Sequence, residues 1–271
     1  MSAPPRIPDR LLFWGTAITQ LVGWGTLFIP FQLTVTPMEA ELGWSRVLLS
    51  GAFTAGLLVS GLAAIPAGRW LDEHGPRALM TGGALMGAVL LICWSQVTHP
   101  IAYVVIWLLL GVTHATCLWG PAMAVVVAEA RDVTRTITAI TLITGFTGTI
   151  FIPLVEGLIA LFGWRHALLV LAAMQGAVAV LTGYMLRHAG PPPRKAEGAI
   201  GTGLWQRLKN RAFLALALCF AAHAFIGTGL GAHLILLLRE RGWPEATVLL
   251  LAAAPEGEKH HARGDLFWPM R

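Results

Sequence analysis

From Ala78 to Ala128 the chain carries no Asp, Glu, Lys or Arg, and a second such run extends from Val47 to Ala67. A bilayer core about 30 Å thick is crossed by roughly 20 apolar residues in a helix rising about 1.5 Å per residue. Val47 to Ala67 meets that length, and the longer run holds two such segments divided near Gln96 to Pro100. With 56% hydrophobic residues overall, the chain reads as a membrane protein. Inside lipid every backbone N–H and C=O needs a partner within the protein, which leaves helices or closed barrels. Barrel strands would show as short segments of alternating polarity, and none is present. The expected fold is an all-α, polytopic helix bundle.

Seven spans are predicted: Leu11 to Val35, Val47 to Ala67, Leu79 to Val97, Ile101 to Ala128, Ile137 to Phe162, His166 to Leu186 and Ala212 to Leu238. The first is much longer than a secretory h-region and has no small-residue cleavage pattern behind it, so it reads as a retained helix. The implied organisation is a polar tail over 1–10, six helices over 11–186 and a Pro-rich, basic linker over 187–210. A further segment follows over 211–254, with a seventh span and the start of an eighth, then a polar tail over 255–271.

Loop charge sets the orientation. Arg6, Arg10, Arg69, Arg77, Arg131, Arg135, Arg187, Arg194, Lys195, Arg207, Lys209 and Arg211 fall on one side; Arg46, Arg165, Arg239 and Arg241 fall on the other. The N-terminus is expected in the cytoplasm and the chain in the inner (cell) membrane. The net charge of +5 reflects that asymmetry, and no basic-aromatic patch points to nucleic acid. Cys93, Cys117 and Cys219 lie inside apolar spans without close pairing and read as buried small hydrophobes. His260 and His261 lack neighbouring ligands, so no metal or other cofactor is expected.

Small residues at four-residue spacing mark candidate seams between helices, where backbones approach closely. They are Gly56, Ser60 and Ala64; Gly83 and Gly87; Gly111 and Ala115; and Gly120, Ala124 and Ala128. A Gly-Trp pair recurs in ELGWSR (41–46), LFGWRH (161–166) and ERGWPE (240–245). Each reads as a glycine turning the chain beside an interfacial tryptophan. The first and third copies are six helices apart, the offset of a duplicated six-helix unit, and internal repeats are common among secondary transporters.

The stretch AGRWLDEHGPRALM (67–80) gathers charge between the second and third spans and reads as an extramembrane loop. It resembles the loop after the second helix of major facilitator superfamily transporters, Gly-x-Leu-Ala-Asp-Arg-x-Gly-Arg-Lys. Gly68, Asp72, Gly75 and Arg77 match; Trp70, Glu73 and Pro76 depart. Gly75 and Pro76 predict a tight turn, and Gly68 a close approach to a neighbouring helix. The resemblance implies a cytoplasmic conformational latch at Gly68, Asp72, Gly75 and Arg77. The family's three-helix repeats put a second charged loop at AEARDVTR, whose Glu129, Arg131 and Arg135 are candidate partners, with a pairing of Asp72 to Arg131 or Arg135 expected. GWGTLFIPFQLTVTPMEAELGWSR (23–46) is similar to the first helix of facilitators near the monocarboxylate and oxalate-formate carriers, which implies a small organic anion.

Polar groups at membrane depth mark a candidate substrate or proton path: Glu156, His114, Gln20, Gln32, Gln175 and His223, with His233 further along. Glu156 is the acid within a span, and a carboxylate there can carry a coupled proton. Where many proton-coupled facilitators have an arginine four residues before a fourth-helix glycine, this chain has Trp107 before Gly111. The fifth-helix motif of drug antiporters is matched only loosely by Gly145, Gly148, Pro153 and Gly157.

The expected function is a secondary active transporter of a small solute in the lipid bilayer, with the proton as a candidate coupling ion. An enzyme is not expected, since no HExxH, paired acidic motif or Ser-His arrangement is present. The alternatives are a seven-helix receptor or sensor and a membrane-embedded enzyme. Against twelve spans in the family fold, seven imply a truncated or partial chain. Gln20, Gln32 and His114 would then face lipid unless a second copy or a complementary fragment covered them.

Overall fold

The computed structural model describes residues 7–190 and, singly or in pairs beyond them, 214, 215, 218, 219, 222, 238, 241 and 242. The seventh span, the partial eighth, most of the 187–210 linker, the 255–271 tail, and His223 and His233 lie outside the described residues. Among those described there are eight helices and no strand. They are α1 (Asp9–Leu27), α2 (Ile29–Leu42), α3 (Arg46–His74), α4 (Pro76–Ser95), α5 (Pro100–Cys117), α6 (Trp119–Glu129), α7 (Val133–Gly145) and α8 (Thr147–Met185).

These helices make six crossings. The apolar stretch Val133–Met185 is 53 residues long, which as one helix would reach about 80 Å, far beyond a single bilayer. It divides at Gly163, where φ is 77° and ψ 162°, so α7 with the first part of α8 is span 5 and the remainder is span 6. Span 1 is α1 with α2, span 2 is α3, span 3 is α4, and span 4 is α5 with α6. Alternation of the crossings puts Gly75 on one membrane face and Gly43 and Gly163 on the other. Principal packing pairs are α4 with α8, α3 with α5, and α1 with α8.

Spans 1 and 4 run longer than their apolar patterns and are broken in the middle. Proline lacks an N–H and crowds the preceding turn. Pro30 stands at the second position of α2, behind a break at Phe28 (φ −111°, ψ −50°). Pro121 follows a break at Leu118 (φ −88°, ψ −148°).

The predicted loop at 67–80 is corrected by the structure. Helix α3 continues through the charged residues to His74, Trp70 stacks on His74 one turn later at 4.5 Å, and Leu71 is buried. The chain reverses at a single residue, Gly75 (φ 84°, ψ 172°), and Pro76 opens α4. Arg69, Asp72, Glu73 and Arg77 project from exposed positions. Their charge ended the apolar run in the sequence without ending the helix.

Toward the Gly163 face the core is aromatic. Phe31 stacks on Phe53 with centroids 4.0 Å apart, and Trp107 meets both rings edge-on. Trp94 and Tyr103 extend the cluster, and all five side chains are buried. This cluster ties spans 1 to 4 together. Cys117 is buried, as expected, but Cys93 and Cys219 are exposed, so the reading of all three as buried holds for one.

The Gly-Trp motifs share a backbone: Gly43, Gly163 and Gly242 have φ of 68°, 77° and 72°, a region that glycine enters without steric cost. The interfacial role expected for the tryptophans is corrected for Trp164, which is 3% exposed. Its Nε1 donates to Glu41 Oε2 at 2.6 Å. Arg165 donates from Nε to Glu41 Oε1 at 2.8 Å, and to the carbonyls of Ser95 and Val97 at 2.7 and 3.1 Å. The first two motifs therefore form one clasp that joins the ends of spans 1 and 3 to the start of span 6.

Candidate functional site

Helices α3 and α5 touch most closely at Gly56 and Gly111. A Cβ built on Gly56 would meet the Trp107 carbonyl oxygen, and one on Gly111 the Gly56 carbonyl oxygen. This is the seam the glycine spacing predicts. Toward the Gly75 face the pair separates, leaving a cavity of about 500 Å³. Its walls are Trp24 and Phe28 of span 1; Leu57, Ser60, Gly61, Ala64, Ala67, Gly68 and Leu71 of α3; His114 and Ala115 of α5; Leu118 at the break; and Trp119, Gly120, Pro121 and Ala124 of α6. Gly61, Gly68 and Gly120 each have open space where a side chain would stand.

Two seam expectations are thereby corrected. Gly68 is exposed and lines the cavity, and a Cβ built on it would meet nothing within 4 Å among the described residues. Gly120 and Ala124, with Ala64 of α3, are cavity wall, whereas Ser60 lines the cavity and also keeps the seam, its amide 3.1 Å from a Cβ built on Gly111. Spacing identifies a face of small residues; whether another helix fills it depends on the crossing angle.

Both broken spans converge on the cavity, through Phe28 in one and Leu118 in the other. Pro121 cannot bond back to the carbonyl of Cys117, four residues earlier. Gln20 of α1 takes over that carbonyl, donating from Nε2 at 3.2 Å. Gln175 of span 6 lies 2.7 Å from the hydroxyl of Thr26, which also reaches the Val22 carbonyl at 2.8 Å. A hydroxyl has one hydrogen. Turning the Gln175 amide over lets its NH₂ donate to Thr26 while Thr26 donates to Val22. These contacts hold backbone and side-chain polar groups that lipid would not satisfy.

His114 is the one ionisable side chain among the described cavity-lining residues, and it is 8% exposed. Its Nε2 has no hydrogen-bond partner among the described residues, while the ring bonds to the backbone of Leu27 beside the span 1 break. The expectation that Gln20, Gln32 and His114 would face lipid is corrected: they are 0%, 6% and 8% exposed, buried within this one chain. Gln175 is likewise fully buried.

The remaining candidates lie elsewhere. Glu156 is half-buried on α8 and does not line this cavity. At the Gly75 face, Arg131 pairs with Asp9 at 3.1 Å, and Asp72 forms no ion pair among the described residues. The expected Asp72–Arg131 contact is replaced because Asp9, at the start of α1, reaches the guanidinium. Glu129 Oε2 accepts from the Ile7 amide at 3.4 Å, and Asp132 caps α7 by accepting from the Arg135 amide at 3.0 Å. Sequence reasoning missed Trp24, Phe28, Ser60 and Trp119 as cavity residues. The signal for them was Pro30 and Pro121, prolines standing midway along two spans.

Six crossings, two of them broken beside one cavity, define a multi-pass helical membrane bundle. Residues 12–255 match the family model of the Major Facilitator Superfamily, and the chain belongs to that family. Members of it are secondary transporters of small solutes. No curated protein matches the chain.

Proposed function

We propose that this protein moves a small solute across the membrane by secondary active transport, with the cavity beside His114 as the share of the solute path contributed by spans 1 to 6. The observation that carries the proposal is the meeting of two mid-span breaks at one cavity with a buried imidazole whose Nε2 has no partner among the described residues. Broken helices at membrane depth are tolerated where they line a cavity, and transporters place their sites there. The charge asymmetry of the loops supports a cytoplasmic N-terminus. On that orientation the Gly75 turn, with Asp72 and Arg77 exposed, serves as a cytoplasmic latch with Glu129, Arg131 and Arg135 on the same face. Glu156 is the proposed proton carrier.

An organic anion, which the 23–46 resemblance implies, needs a cationic partner in its site. Among the described lining residues there is no Lys or Arg, so the reading keeps transport and leaves the anion unsupported. The test is gradient-driven uptake by proteoliposomes containing the full chain, with matched panels of neutral and charged solutes. Saturable uptake lost in His114→Leu is expected; uptake indifferent to that change would remove the cavity from the path.

A further inference from the structure

We infer that the cavity selects an uncharged solute that carries an apolar body and one hydroxyl or N–H group, anchored at His114 Nε2. The inference rests on reading this cavity as the solute site. Its walls supply the aromatic rings of Trp24, Phe28 and Trp119, aliphatic side chains and bare glycine backbone. The described lining includes no Asp, Glu, Lys or Arg. A charged solute entering here would give up its hydration without gaining an opposite charge, which is strongly unfavourable in a low-dielectric site. A purely apolar solute would fit the walls and leave Nε2 as it is.

The polarity of the missing partner follows from the ring. Carbonyls in the last turn of a helix lack intrahelical partners, and the backbone that His114 meets is that of Leu27, the last residue of α1. The ring therefore donates there from one nitrogen. A neutral imidazole that donates from one nitrogen accepts at the other. Nε2 is that acceptor, buried and unpaired among the described residues, and the group that completes it must be a donor. A volume of about 500 Å³ is ample for a substituted six-membered ring, within the range of small-molecule pockets.

Three probes of one ring size separate the possibilities: benzyl alcohol, toluene and benzoate. Binding is measured by equilibrium dialysis of the full chain in nanodiscs against empty nanodiscs, which subtracts partition into lipid. Benzyl alcohol is expected to bind saturably and on the order of tenfold more tightly than toluene. Benzoate should be the weakest of the three. His114→Leu should reduce benzyl alcohol to the toluene level, and His114→Gln, whose amide oxygen can accept, should retain part of the difference. Ala64→Trp, at an exposed wall position, should fill the cavity and abolish binding of both neutral probes.

Benzoate binding as tightly as benzyl alcohol, benzyl alcohol no better than toluene, or no saturable binding by any probe would each overturn the inference. If His114→Leu does not fold, the wild-type ranking and Ala64→Trp still decide. The expected binding pattern without gradient-driven flux of any solute would overturn the transport reading alone. Flux of a carboxylate through a chain lacking the binding pattern would overturn the inference and leave transport standing.

Discussion

Gly111→Ala tests the geometry that creates the cavity. The added Cβ would run into the carbonyl oxygen of Gly56 and come within 2.9 Å of its carbon and 3.1 Å of the Ser60 amide. All three are backbone atoms, so no side chain can swing aside and α3 must move away from α5. Overpacking of this kind costs about 1–3 kcal/mol. For a domain of this size that lowers the melting temperature by roughly 2–4 °C per kcal/mol. The aromatic cluster centred on Trp107 lies one turn away and would loosen with the shift. Gly120→Ala is the matched control, because a Cβ there meets nothing within 4 Å. The assay is thermal unfolding of the purified chain in detergent, followed by tryptophan fluorescence and by loss of the monodisperse elution peak. Gly111→Ala is expected several degrees below wild type and Gly120→Ala at wild type. Equal melting of all three, or an equal drop in both variants, would refute the claim that the crossing is close on one side and open on the other.

Glu41→Ala removes the acceptor of the Trp164 indole and the carboxylate facing Arg165. The stranded buried N–H should cost about 1–3 kcal/mol. The half-exposed ion pair adds little, and faster hydrogen exchange at 95–98 and 163–166 would report the loosened clasp. Glu156→Gln should abolish proton-driven uptake with insertion intact, and normal coupled uptake would return Glu156 to a structural role. For orientation, in a background where Cys93, Cys117 and Cys219 are replaced by serine, a cysteine at position 99 should be labelled from outside the cell. One at position 74 should not, and the reverse pattern would invert the topology. Gln20→Leu should destabilise span 4 by about 1–3 kcal/mol, since the Cys117 carbonyl loses its partner; an unchanged melting temperature would show that water or a relaxed backbone satisfies it instead.

Most of the bundle was legible because charge-free runs of membrane length have few physical solutions. The Gly75 turn and the left-handed glycines of the Gly-Trp motifs were legible for a similar reason, since such conformations favour one residue type. The helical course of 67–74 was hidden by its own charges: hydropathy reports where lipid ends, and α3 simply continues beyond it. The clasp was hidden because Glu41 and Arg165 are more than a hundred positions apart, and local motifs carry no record of which copy meets which. Gln20 and Gln32 looked like groups awaiting a cover because polarity alone does not distinguish a cavity wall from an interior hydrogen bond. His114, among the candidates, was placed at the cavity by neighbours that no polar pattern marks.

Spans 1 and 4 occupy equivalent places if the six spans are two three-helix units, and the same device recurs in them. A proline midway leaves the carbonyl four residues earlier, of Thr26 in one span and of Cys117 in the other, without its helical donor, and the breaks at Phe28 and Leu118 line one cavity. An unsatisfied carbonyl in lipid would be costly enough to select against such breaks. Gln20 takes the Cys117 carbonyl at one break, and His114 meets the Leu27 backbone beside the other. Each polar side chain thus comes from one broken span and supports the other, α1 reaching to α5 and α5 to α1. A displacement of one break is then felt at the other through two hydrogen bonds. The two spans are thus tied to each other at the cavity, and the Glu41–Arg165 clasp and the aromatic cluster tie their opposite ends into the bundle.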